Sequence, residues 1–292
     1  MQLAGIGAHH RTAMSPSEPR NEGVNVSESV SSDLSVWEVK YGERVVRKSD
    51  VLNDYAQYGL PDGDLDMNYN FWVIRSGDSI VLLDTGYDIP KFDWLGEISV
   101  TPTPEALEIL GIDPLDVDMV ITSHYHYDHI GYLGLFENAK VVSGQAEYDY
   151  WIGKLEAGAL EGEFSTPDDL APVVKARDEG RLVLVSEPTE VFPGITVYPI
   201  GGHCPGELLT HIETKDGGLI MSVDAAHFYE QIENEWPFFA FTDLQEMKDG
   251  LHFINELAAK TGATVVPGHD ARVRDRFPAA PGAAGAIATV LA

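Results

Sequence analysis

The strongest constraint on what this chain can fold into lies where the apolar run Val117-Asp118-Met119-Val120-Ile121 passes directly into Thr122-Ser123-His124-Tyr125-His126-Tyr127-Asp128-His129. The first part reads as a buried strand. The second packs three imidazoles and a carboxylate into six positions. A strand that ends this way can aim alternate side chains at one metal ion, and the bend that follows can turn the next two toward another. Imidazole nitrogen and carboxylate oxygen suit zinc, and less exclusively iron or manganese. A merely polar loop after a strand does not explain the spacing.

Three more residues of ligand type stand at the carboxyl ends of apolar runs. His203 sits in the turn-rich Gly201-Gly202-His203-Cys204-Pro205-Gly206, Asp224 follows Leu219–Val223, and His269 follows the run 263–266. One such residue alone reads as an ordinary surface group. Three of them, together with the opening cluster, point to one site.

With 292 residues the chain can bury a sizeable core. Its formal net charge of −28 argues against nucleic acid or an anionic membrane as partner, because phosphate-neutralising cations are scarce. No apolar segment approaches the length of a membrane span. The amino terminus lacks a basic region followed by an apolar run, so no secretory signal is expected. The single Cys204 excludes an intramolecular disulfide framework and fits a reducing compartment, so the expected location is the cytoplasm.

Residues 1–32 are rich in Ser, Glu, Gly and Pro and read as a disordered arm. Residues 278–292 are low in complexity and read as a tail. The single domain is expected over 33–277. Within it, strands are expected at 35–41, 70–75, 78–83, 117–121, 140–142, Leu182–Val185, 195–199, 208–213, Leu219–Val223 and 263–266. Helices are expected at Thr103–Leu110, with a Thr cap and Pro104 in the first turn, and at 145–155, 167–176 and 243–261. Strands followed by helix in each half predict mixed α and β, with two sheets face to face and helices outside.

The H-x-H-x-D-H pattern, with the later His, Asp and His, resembles the metallo-β-lactamase superfamily over roughly residues 39–269. The resemblance implies a four-layer αβ/βα sandwich. It implies His124, His126 and His203 on one divalent ion, and Asp128, His129 and His269 on a second. Asp224 would bridge them, zinc would be the metal, and Asp84 in Leu83-Asp84-Thr85-Gly86 would organise the ligand loop. The segments 202–206, 222–226, 233–238 and 267–270 are most similar to the N-acyl-homoserine lactonases.

That likeness implies a homodimer acting on a small molecule: a quorum-quenching hydrolase that opens an acyl-homoserine lactone or related lactone by attack of a metal-bridging hydroxide. Asp128 would then pass a proton to the leaving alkoxide. His227 stands where those lactonases carry a Tyr that contacts the lactone; as an imidazole it can donate to the carbonyl or carry a proton near neutral pH. Cys204 replaces a Thr or Ser, and Glu207 a His. The alternative within the superfamily is hydrolysis of a thioester, a β-lactam or other cyclic amide, or a phosphodiester. A di-iron redox protein is disfavoured, since that branch carries Glu at the position of His126. Two aromatic groups, Tyr69, Phe71 and Trp72, and Trp236, Phe238 and Phe239, are candidates for pocket walls.

Overall fold

Alternation along the strands sorts the apolar side chains into three separate cores. In the strand Ser79–Leu83, Ile80 and Leu82 pack on one side and Val81 and Leu83 on the other. In Asp64–Ser76, Phe71 and Val73 oppose Trp72 and Ile74 in the same manner. Both faces are therefore apolar, which a sheet needs when it is covered on each side. The computed structural model describes residues 34–87 and 99–292.

Among these residues the elements, in chain order, are β1 (Ser35–Arg47), α1 (Lys48–Val51), β2 (Asp64–Ser76), β3 (Ser79–Leu83), β4 (Ser99–Val100), α2 (Thr103–Leu110), β5 (Met119–Ile121) and α3 (Tyr127–Ile130). There follow β6 (Lys140–Gly144), α4 (Gln145–Ala157), α5 (Pro167–Asp178), β7 (Leu182–Val185), β8 (Thr189–Phe192), β9 (Ile195–Ile200) and β10 (Glu207–Ile212). The last are β11 (Leu219–Val223), α6 (Tyr229–Asn234), α7 (Leu244–Thr261), β12 (Thr264–Pro267), α8 (Val273–Arg276) and β13 (Ala288–Val290).

One sheet runs β13-β1-β2-β3-β5-β6-β7, with β4 paired to β1, and the other runs β12-β11-β10-β9-β8. The first core joins the outer face of the larger sheet, through Leu82, Val120 and Val141, to Leu107, Trp151, Leu170 and Val173 of helices α2, α4 and α5. The second lies between the sheets, where Trp72, Val81, Ile121 and Val142 meet Val197, Leu208, Met221 and Val266. The third joins Leu209 and Ile220 to Leu251, Ile254 and Leu257 of α7. Helix, sheet, sheet, helix is the four-layer order expected.

Two expectations need correction. Residues 278–292 are no tail: β13 pairs antiparallel with Trp37–Val39 of β1, and Ala288 and Leu291 are buried. Thr103 is not a cap. Pro102 holds that position, and the Thr103 hydroxyl donates to the Thr85 carbonyl at 2.8 Å. The expected arm, 1–32, lies outside the described residues.

Candidate metal centre

Strand ends carry every residue in question. β5 delivers His124 and His126, and the short helix α3 follows with Asp128 and His129. His203 comes from the β9–β10 loop, Asp224 directly follows β11, and His269 follows β12. β11 and β12 run parallel, and their ends are brought unusually close. Gly268 permits this, since a Cβ there would lie 2.3 Å from the Val223 carbonyl oxygen. Val223 itself adopts φ 46°, a region a β-branched residue rarely enters. Such strain persists only where the surroundings enforce it, and here it aims Asp224 into the site.

The ligand atoms form overlapping groups: His124, His126, His203 and Cys204; His124, His129 and Asp224; Asp128, His129 and His269; and His203, Asp224 and His227. Within each group they lie within 4.8 Å of one another. Asp224 is central, with Oδ1 2.9 Å from His269 Nε2 and Oδ2 3.3 Å from His203 Nε2. Burial raises its pKa, but His227, His129 and His269 outweigh this and hold its carboxyl well below the usual range. The residues implied by the family resemblance are thus gathered in one place.

The outward-facing ring nitrogens are each held. His129 Nδ1–H donates to Asp84 Oδ2 at 2.7 Å, His203 Nδ1–H to the Ala240 carbonyl at 2.9 Å, and His269 Nδ1–H to the Asn68 carbonyl at 2.7 Å. The Ser123 hydroxyl donates to Asp84 at 2.8 Å and so accepts from His124 Nδ1 at 3.0 Å. With its proton on Nδ1, each of these rings in its neutral form has an Nε2 lone pair facing inward. Those of His124 and His129 are buried without any hydrogen-bond partner. Four imidazoles so oriented, with two carboxylates between them, fit a pair of divalent cations. His126 is turned the other way: Nε2 meets Cys204 Sγ at 3.3 Å, and Nδ1 lies 3.0 Å from His203 Nε2.

His227 departs from its expected use. Its Nε2 lies 3.0 Å from Asp224 Oδ2, and its ring stacks on Phe238 at 3.5 Å and 13°. Burial pushes its pKa down to about 3 against the pull of Asp224. With its proton on Nε2 the ring would donate to Asp224, while Nδ1 is buried without a hydrogen-bond partner.

A cleft opens over the ligands, lined by His126, Asp128, His203, Asp224 and His269 among others. Of the aromatic candidates, Tyr69, Phe238 and Phe239 line it. Phe71 and Trp72 belong to the two cores flanking the larger sheet, and Trp236 stacks on Tyr58 at 4.1 Å. Phe164, Met67 and Arg44 also line the cleft and were not foreseen. Glu147 was missed as well. Fully buried, it accepts from Tyr125 N at 2.8 Å, Trp151 Nε1 at 2.6 Å and Gly206 N at 3.3 Å, tying the His126 loop to the His203 loop. In the sequence it looks like an ordinary acidic residue in a first helical turn.

A sandwich of this layering, with its ligands at the strand ends, defines a class. The family model described as "Metallo-beta-lactamase superfamily" matches residues 66–269, and the chain belongs to that superfamily. Among relatives, an N-acyl homoserine lactonase of a Bacillus species is 30% identical over 165 residues, covering 56% of this chain and 60% of that one. N-acyl homoserine lactonase AttM of Azorhizobium caulinodans is 30% identical over 191 residues, covering 60% and 66%. The matched stretch therefore spans less than two thirds of either relative. A crystal structure of a quorum-quenching N-acyl homoserine lactone lactonase shares the fold with a TM-score of 0.68 at 22% identity, over 83% of this chain and 94% of that one. AidC, a dizinc quorum-quenching lactonase, gives 0.62 at 20% identity, over 81% and 87%.

Proposed function

We propose that this protein is a dinuclear metal-dependent hydrolase that opens the ring of an acyl-homoserine lactone or a related lactone. The observation that carries the reading is the set of overlapping ligand groups around Asp224 beneath a mainly apolar cleft. The names of the relatives support the lactone, and the His and Asp donors together with the dizinc structural neighbour support zinc. The family resemblance supports a homodimer, and the lone cysteine a cytoplasmic setting. Among the described residues no helix is long and apolar enough to cross a membrane.

A pair of divalent ions would supply Lewis acidity and a water acidified toward neutrality. His124, His126 and His203 would hold one, Asp128, His129 and His269 the other, with Asp224 shared. Ring opening joins a water oxygen to the lactone carbonyl carbon, breaks the ring C–O bond and returns a proton to the leaving alkoxide. Asp128 would return that proton. Its Oδ2 lies 3.6 Å from His129 Nε2, and its side chain lines the cleft. The Tyr41 hydroxyl fixes its backbone by donating to the Asp128 carbonyl at 2.7 Å. His227 orients Asp224 and, with Phe238, walls the cleft against water.

The test is hydrolysis by the metal-loaded protein, followed with a pH indicator, across lactones, thioesters and β-lactams. Turnover of lactones alone is expected. Silence on lactones with turnover of another class would keep the metal chemistry and discard the lactone.

A further inference from the structure

The cleft has one feature that lactone hydrolysis does not require. Among its described lining residues Arg44 is the only Lys or Arg, and it stands beside the apolar wall of Met67, Phe164, Phe238 and Phe239. Its place is fixed by the sheet. Arg44 pairs with Met67 across β1 and β2, and Met67 bridges to Asp270, the neighbour of His269. Arg44 Nε is buried and has no hydrogen-bond partner.

Arg47, Arg177, Arg181 and Arg272 each meet a carboxylate. Among the described residues, Arg44 meets none. Arg274 and Arg276 also meet no carboxylate among the described residues, but Arg274 donates to carbonyl oxygens and Arg276 lies over the Tyr229 ring. A buried donor without an acceptor is disfavoured, and a ligand can supply what the protein does not. A guanidinium presents a planar fork that suits a carboxylate, which it binds through two parallel hydrogen bonds. The lactone carbonyl cannot be that partner, because ring opening requires it at the ligand clusters. Arg44 must read a second group on the same molecule. A neutral acceptor would need no charge, whereas an anion entering a protein of net charge −28 needs a cation at its destination.

We infer that the substrate is a lactone whose side chain carries a carboxylate, and that Arg44 selects it. This rests on the lactonase reading and names the substrate class of the same site. The test compares N-acyl-homoserine lactones bearing a terminal carboxylate with their terminal carboxamides, at several acyl lengths, on the zinc-loaded full chain. The wild type should favour the best carboxylate over its carboxamide by about 10–100-fold in kcat/KM, the range for a hydrogen bond to a charged group. In Arg44→Gln that ratio should fall toward one. Arg44→Lys should keep a reduced preference, lacking the fork. Arg44→Glu should turn the preference toward a terminal amine, a gain that an unfolded variant cannot produce.

Turnover of the carboxamides with no preference for carboxylate in the wild type would overturn the inference and leave the lactonase reading intact. So would a ratio that survives Arg44→Gln. Silence of the wild type on every lactone would remove both.

Discussion

Replacing Asp84 with Asn exchanges one oxygen for an NH₂ group, yet it should disturb both halves of the metal centre. Asp84 is fully buried and accepts from Ser123 N at 2.7 Å, Ser123 Oγ at 2.8 Å and His129 Nδ1 at 2.7 Å. Through the Ser123 hydroxyl it also fixes the tautomer of His124. One carboxylate therefore orients one imidazole in each of two ligand groups. Asn keeps a single acceptor oxygen. If that oxygen stays on Ser123 N, its NH₂ group confronts His129 Nδ1–H, donor against donor. Either the bond is lost or the proton moves to Nε2, where it blocks the lone pair a metal needs. A hydrogen bond to a charged group is worth about 1.5–3 kcal/mol, so zinc affinity should fall by about 10–100-fold. The assay is zinc competition against a chromophoric chelator, with urea unfolding of the metal-free proteins to separate binding from folding. Two ions bound by Asp84→Asn as tightly as by the wild type, with the fold intact, would refute the tautomer argument.

Three further outcomes are expected. Asp224→Ala should reduce metal content below two ions per chain and abolish hydrolysis, measured by metal analysis and the pH-indicator assay; survival of both would displace Asp224 from its shared position. Glu38 is fully buried with neither carboxylate oxygen hydrogen-bonded, and burial, against the pull of Arg274, raises its pKa from 4.5 to about 8. Because the folded state holds this proton more tightly than the unfolded chain, the contribution is intact below pH 4.5 and is lost as pH rises toward 8, by up to about 5 kcal/mol. Glu38→Gln should flatten that slope, seen as urea midpoints that separate from the wild type between pH 5 and 8; parallel curves would contradict it. Gly268→Ala should destabilise by about 2–3 kcal/mol, since its Cβ meets backbone that cannot yield, and a thermal midpoint equal to the wild type would show that β11 and β12 can part.

The sequence disclosed this protein wherever chemistry and periodicity coincide. His124, His126, Asp128 and His129 follow a buried strand, so their residue types and their place in the fold could be read together. His203, Asp224 and His269 are legible for the same reason: each ends an apolar run. The parts that stayed hidden have no such coupling. β1 and β2 extend beyond 41 and before 70 as a half-exposed ribbon of alternating charged and apolar residues, which reads as solvent-facing loop. Arg44 and Met67 lie in that ribbon and become cleft residues only because β2 also carries Asn68, whose carbonyl holds His269.

Glu147 shows the same limit from the interior. An acid in a first helical turn complements the helix dipole and attracts no notice. Its real partners, Tyr125, Trp151 and Gly206, are distributed over three segments. His227 carries the point furthest. Its residue type and its position three residues past Asp224 are legible, yet what its ring faces depends on Asp224 lying 3.0 Å away and Phe238 closing over the ring. Side-chain identity names the candidates for a site, whereas the direction of each proton is set by contacts between distant segments.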